Sequence, residues 1–200
     1  MDLKRALGYP YATPDRSYLY RDGEAHELPE GGPDLTGRTP LLSYGANSAP
    51  QALARKLAAL PGVELPVMQS QLRGFDVVYS AHISPYGAVP ATLHESRGTT
   101  APVFVLHPTR EQHALLTASE PNYDLVEVDG IAAYRSRHGC LHLDGSPVAL
   151  AAVRSLGRTF PELDEPAILD RLRAHLEPHL SLEQFIETSI ARGGGSFPTF

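Results

Sequence analysis

Apolar positions along this chain fall into short runs with different periods. Pro40-Leu41-Leu42-Ser43-Tyr44 is a compact apolar run closed by Gly45, the pattern of a buried strand. Ser48-Ala49-Pro50-Gln51 then supplies a capping serine, a first-turn proline and a glutamine three residues after the cap. Leu53, Leu57 and Leu60 follow at helical spacing until Pro61-Gly62, so a helix is predicted over 51–60. Strands are predicted over 65–68, 75–82, 91–94 and 101–107, with a Gly- and Pro-rich loop, Ser84 to Pro90, before the third. Thr109 and Gln112 form a capping box that opens a helix to Ala118. Short strands are predicted over 123–128, 131–134 and 140–143, with Asp-Gly turns at 129–130 and 144–145. The last fifty residues read as helical: 148–156, 165–176 with Ile168, Leu169, Leu172 and Leu176 in register, and 181–192 behind a Ser181/Gln184 capping box. Gly193-Gly194-Gly195 stops the last helix, and a tail is expected over 196–200.

Residues 1–38 follow neither period. Tyr9, Tyr11, Tyr18 and Tyr20 alternate with prolines there, and Asp22-Gly23 suits a hairpin turn. The expected organisation is an N-terminal Tyr/Pro/Gly-rich arm (1–38) anchored by its tyrosines, a core (39–147), and a C-terminal helical extension with a tail (148–200).

Composition narrows the classes. The chain holds 18 prolines and 17 glycines in 200 residues, too many breakers for a helical bundle. A formal charge of −6 lacks the basic footprint of a nucleic-acid binder. No apolar stretch approaches a membrane span, and no apolar leader is visible after Met1, so a cytoplasmic protein with no membrane partner is expected. A single cysteine, Cys140, forms no intrachain disulfide and fits a reducing compartment. Of the 17 basic residues only Lys4 and Lys56 are lysines, read here as codon bias.

Two segments carry candidate chemistry. Leu42-Ser43-Tyr44-Gly45-Ala46-Asn47-Ser48 places a strand end, a glycine turn and a helix start in succession, where backbone N–H groups favour a carboxylate. Gly45 leaves room for close approach to the backbone. Leu115 to Tyr123 places Glu120 between an apolar helix end and Pro121, where burial suits a carboxylate to general-base work. Alone, the first also fits an ordinary strand–helix turn and the second a solvated loop glutamate. His138, Cys140 and His142 alternate along a strand as three N/S groups on one face, but residues so close together rarely close a metal site, and none is expected. His82, His94, His107 and His113 lie near strand ends without a metal pattern. Neither a Gly-x-Gly-x-x-Gly nor a Gly-x-Ser-x-Gly signature occurs.

Taken in order, the two segments resemble the γ-glutamylcyclotransferase-like family. Tyr44-Gly45-Ala46-Asn47 is similar to its Tyr-Gly-Ser-Asn strand end, with Ala46 for Ser. Leu116-Thr117-Ala118-Ser119-Glu120 is similar to its Leu-Asp-x-x-Glu segment, with Thr117 for Asp, and Tyr123 follows. Gly87 to Leu93 resembles the stretch by which the family enters its central strands and Val103 to Leu106 the strand before its second helix, so the likeness covers residues 39–135. It implies an α+β fold: a small mixed β-barrel of that type flanked by helices, here with extra C-terminal helices. It also implies cofactor-free acyl transfer, cyclising a γ-glutamyl amine or peptide to 5-oxoproline. Glu120 would be the general base, and Tyr44, Gly45, Ala46, Asn47 and Tyr123 the substrate-binding residues. The implied partner is a small molecule bearing a carboxylate and an amine. Without turnover, the same cavity would serve a ligand-binding or interaction module. The tyrosine arm and the C-terminal helices are the surfaces available for a homodimer contact.

Overall fold

The computed structural model describes residues 3–197. The chain opens with a short helix, α1 (Leu3–Leu7), and a hairpin of β1 (Tyr18–Arg21) and β2 (Glu24–His26). Asp22 and Gly23 both have positive φ, 52° and 85°, as a two-residue hairpin turn requires. Tyr9, Tyr18 and Tyr20 are buried, and β1 pairs with the body of the sheet, so the arm is anchored as its tyrosines predict. Residues 27–37 then run mostly exposed, with no helix or strand, to the buried strand β3 (Leu41–Ser43).

The first helix begins one residue ahead of the predicted 51–60 span and ends short of it at Lys56, and Ser48 does not cap it. A single 3-10 turn over Ala46–Ser48 intervenes, and α2 spans Pro50–Lys56 behind Ala49, with no side-chain cap. Ser48 is spent elsewhere, because its hydroxyl donates back to the Gly45 carbonyl at 2.8 Å.

Next come β4 (Glu64–Tyr79), the short β5 (His82–Ile83) and β6 (Ala91–Leu106). Where two separate strands are predicted on each side, β4 and β6 are single antiparallel strands of 16 residues, with the ladder interrupted where Gly74 of β4 (φ 78°) stands opposite the unpaired residues 96–99 of β6. Side chains alternate faces as strands demand: Val103 and Val105 enter one core, Phe104 and Leu106 the other. One core lies against the C-terminal helices; the other gathers Tyr18, Leu53, Leu65 and Leu116.

The Thr109/Gln112 box caps α3 (Arg110–Ala118), and β7 (Tyr123–Val128) and β8 (Ile131–Ser136) follow around the Asp129-Gly130 turn. Then come β9 (His142–Leu143), β10 (Ser146–Pro147) and β11 (Ala149–Leu150). The helix predicted over 148–156 is absent. Backbone groups there bond across the structure: Val148 N–H to Leu141, Ala149 N–H to Pro161, Ala151 N–H to Leu163, and the Val148 carbonyl accepts from Tyr79. None of these groups is left to build a helical turn. After β12 (Glu162–Leu163), α4 (Glu165–Leu176) is capped by Asp164 and α5 (Leu182–Ala191) by the Ser181/Gln184 box. α1 packs on both. β13 (Gly195–Ser196) pairs with β5; the tail expected from 196 lies outside the described residues after 197.

The result is a mixed α+β fold on a nine-stranded sheet, with path β12-β11-β4-β6-β3-β8-β7 and the β1–β2 hairpin attached through β4. β3–β8 and β11–β12 are parallel, the rest antiparallel. Among the described residues no ladder joins β7 to the far edge, so the expected barrel does not close. β11 and β12 are two residues each, too short to carry a ladder round.

Under that edge, Asp76 is fully buried and held by Arg158 through two bonds, Nε to Oδ2 at 2.8 Å and Nη2 to Oδ1 at 2.9 Å. Ser155 Oγ (2.7 Å) and the Val77 N–H (2.8 Å) also donate to Oδ1. Among the described residues, no helix is long and apolar enough to cross a membrane.

Candidate functional site

The β3–α2 turn, the end of α3 and the N-terminal segment enclose a cavity of about 580 Å³. Glu120 reaches it because α3 ends at Ala118 with Ser119 as its C-cap: the Glu120 N–H bonds the Thr117 carbonyl (3.0 Å), and the Glu120 carbonyl accepts from the Tyr123 N–H (3.1 Å). That turn aims the carboxylate at the β3–α2 turn, where Asn47 Nδ2 donates to Glu120 Oε1 at 2.9 Å. Lys56 of α2 also donates to Oε1. Oε2 takes no bond from the described residues. The carboxylate is only 15% exposed.

Tyr44, Gly45, Ala46, Asn47, Glu120 and Tyr123 all line this one cavity. Their roles in it differ from a simple binding loop. The Tyr44 hydroxyl donates to the Tyr134 carbonyl, and the Tyr123 hydroxyl to the Ala91 carbonyl at 2.8 Å, so both phenols are spent on backbone. Burial, with the charge of Glu120 adding, pushes both phenols well above their ordinary value, and they stay neutral. Thr117, which stands where the family pattern has a carboxylate, turns to the Tyr134 hydroxyl at 2.8 Å and stays outside the cavity.

Gly45 is needed for space, since its φ of −134° is ordinary. A Cβ there would lie 2.7 Å from the Tyr9 hydroxyl, which itself accepts from the Ala91 N–H at 2.8 Å. The room expected for a ligand is therefore taken by the protein's own arm. Gly45→Ala should destabilise the fold by about 1–3 kcal/mol through this overpacking, read by urea unfolding. Adding Tyr9→Phe, which deletes the colliding oxygen, should return part of the loss; no recovery would place the strain elsewhere.

The sequence pattern missed Arg5, Tyr9, Tyr11, Lys56 and His82, all of them cavity walls.

His82 is buried, with its ring 4.6 Å from that of His138 and 5.9 Å from that of Tyr123, and its Nδ1 2.7 Å from Ser80 Oγ. Burial, then the second imidazole, pushes its pKa down to about 4. The unfolded chain therefore takes up this proton first as pH falls from the ordinary histidine range near 6.5. Stability contributed by His82 is full above that range and is lost towards pH 4, by up to about 1.4 kcal/mol per pH unit. Urea unfolding of wild type and His82→Phe between pH 7 and 4.5 should give the flatter profile for the variant; parallel profiles would clear His82 of this role.

The remaining candidates separate. His138 turns to His82, while Cys140 Sγ lies 3.4 Å from His94 Nδ1 and 3.8 Å from His142 Nδ1. Among the described residues, no three His, Cys, Asp or Glu side chains are arranged to hold a metal ion. In comparisons with known proteins, no family model matches the chain, and no curated protein or solved structure matches it significantly.

Proposed function

We propose that the protein is a γ-glutamylcyclotransferase-like enzyme that cyclises a γ-glutamyl amine or peptide to 5-oxoproline, on a fold of that family's kind with its barrel left open. The observation that carries this reading is the Glu120 carboxylate, held on one oxygen by Asn47 and Lys56 with the other left for a ligand, inside a cavity that also holds the Tyr44–Asn47 turn.

The chemistry follows from what cyclisation needs. The donor's α-amine attacks its own γ-carbonyl only when neutral, so a carboxylate must take a proton from it. Glu120 Oε2 is the acceptor. Lys56 assists by making a second ammonium beside it unfavourable, so the donor's amine is held in its neutral form. The new C–N bond closes the five-membered ring, Glu120 hands the first proton to the departing nitrogen as the γ-amide C–N bond breaks, and the same carboxylate then takes the extra proton from the ring nitrogen and passes it to the freed amine, which leaves as an ammonium. No redox change or cofactor is involved. Holding the donor folded supplies much of the rate, because attack is intramolecular.

The test is incubation with a panel of γ-glutamyl amines, amino acids and peptides, followed by detection of 5-oxoproline. Release from any member at enzymatic rates supports the reading. Silence across the panel would end it and leave a ligand-binding module on the same cavity.

A further inference from the structure

We infer that His82 is a ligand-binding hydrogen-bond donor of the same cavity, its Nε2–H meeting an uncharged amide or lactam carbonyl oxygen of the molecule bound beside Glu120. That this oxygen is the γ-carbonyl of a γ-glutamyl substrate rests on the function proposed above; the donor character of Nε2 rests on the hydrogen bonds behind the ring.

His82 is 2% exposed and is a wall of the cavity. Its Nδ1 lies 2.7 Å from Ser80 Oγ, and Ser80 stands behind the wall, fully buried. Ser80 Oγ in turn lies 2.6 Å from Ser136 Oγ, which accepts from the His138 backbone N–H at 3.0 Å. Among the described residues, only one direction gives every hydroxyl hydrogen of this chain a protein acceptor: Ser136 donates to Ser80, and Ser80 donates to His82 Nδ1. Nδ1 then carries no hydrogen, so the proton of the neutral ring sits on Nε2. No hydrogen bond from the described residues reaches Nε2, which leaves it to the cavity.

The ring is also held in place and uncharged. It stacks on His138 at 4.6 Å and meets Tyr123 edge-on at 5.9 Å, while β13 pairs Ser196 with His82 along the backbone. Burial, with the His138 imidazole beside it, keeps its pKa down at about 4, so the ring is neutral at pH 7. A neutral ring brings a dipole without a charge, which suits a carbonyl oxygen; a carboxylate buried against it would find no countercharge there. Tyr123 follows Glu120 by three residues, so base and imidazole belong to one short stretch of wall. In a γ-glutamyl group with its amine at Glu120, the γ-carbonyl supplies the one uncharged oxygen. As the amine attacks, that oxygen gains charge, and a donor already aimed at it strengthens without reorganising. Ser80 and Ser136 are then positioning residues, acting through the ring.

The experiment reads the ring and its contact without turnover. Proton–nitrogen correlation NMR of the isotope-labelled wild type should show the His82 proton on Nε2, and Ser80→Ala should show a second tautomer. Calorimetry then compares 3-oxocyclopentanecarboxylate with cyclopentanecarboxylate, carbocyclic analogues of 5-oxoproline with and without its carbonyl. Wild type should bind the ketone about fivefold more tightly, as one neutral hydrogen bond predicts. His82→Gln, whose amide places an N–H near the position of Nε2, should keep that preference, and His82→Leu should abolish it. Ser80→Ala leaves the ring in place and should weaken the preference, so it carries the test should a His82 variant unfold. A proton on Nδ1 in wild type, equal affinities, no binding of either ligand, or a preference untouched in His82→Leu or Ser80→Ala overturns the inference. A preference for the ketone without 5-oxoproline from any γ-glutamyl substrate keeps His82 and removes the reaction. Full 5-oxoproline formation by a folded His82→Leu keeps the reaction and removes His82.

Discussion

Glu120→Gln is expected to lower 5-oxoproline formation by about 10²–10⁴-fold while leaving the protein folded. Glutamine keeps the length of the side chain and still accepts from Asn47, which donates to Oε1 at 2.9 Å. It has no basicity for the donor's amine, so the loss falls on kcat more than on KM. The structural cost is small, because the Lys56–Glu120 pair is partly solvated and worth about 1 kcal/mol. The measurement is steady-state turnover on a donor verified with wild type, alongside a melting curve. A variant with full turnover would remove Glu120 from the role of base, whatever the cavity binds.

The largest expected loss of stability lies on the opposite edge of the sheet. Arg158→Met should cost about 3–5 kcal/mol in urea unfolding, because it strands the fully buried Asp76 carboxylate with only Ser155 and the Val77 N–H as donors. The damage comes from the charge left behind more than from the attraction lost. Asp76→Val combined with Arg158→Met should therefore cost less than Arg158→Met alone, since no uncompensated charge remains. Additive losses would show that the pair does not act as a unit.

How far such features can be read from residue order depends on the distance over which their physics acts. The Thr109/Gln112 and Ser181/Gln184 boxes and the Asp22-Gly23 and Asp129-Gly130 turns are complete within four residues, and each forms where the pattern places it. The middle parts of β4 and β6 escaped notice because their inward positions are polar: Ser96 and Thr99 are buried but satisfy each other at 2.6 Å. A hydropathy pattern registers no strand there, and the ladder itself breaks: residues 96–99 of β6 have no β4 partner, while pairing runs on either side from Glu95–Phe75 and Thr100–Arg73. The 148–156 segment reads as helical and is drawn off by partners at 79, 141, 161 and 163. Within the site, the turn and the glutamate stand out through local chemistry and resemblance. Lys56 does not, because its partner lies 64 residues away, and Arg5 becomes relevant only once the arm folds back.

That returning arm has a consequence for how the cavity exists at all. Arg5, Tyr9 and Tyr11 reach the body through side chains and through a β1–β4 ladder of four residue pairs, while the exposed 27–37 stretch contributes no element. Severing the chain at Gly31–Gly32 would break no strand or helix. The wall carrying those three residues would then be a peptide ligand of the remaining protein, with its own affinity and exchange rate. It would also be open to competitor peptides able to redraw the mouth of the cavity without a change elsewhere in the sequence.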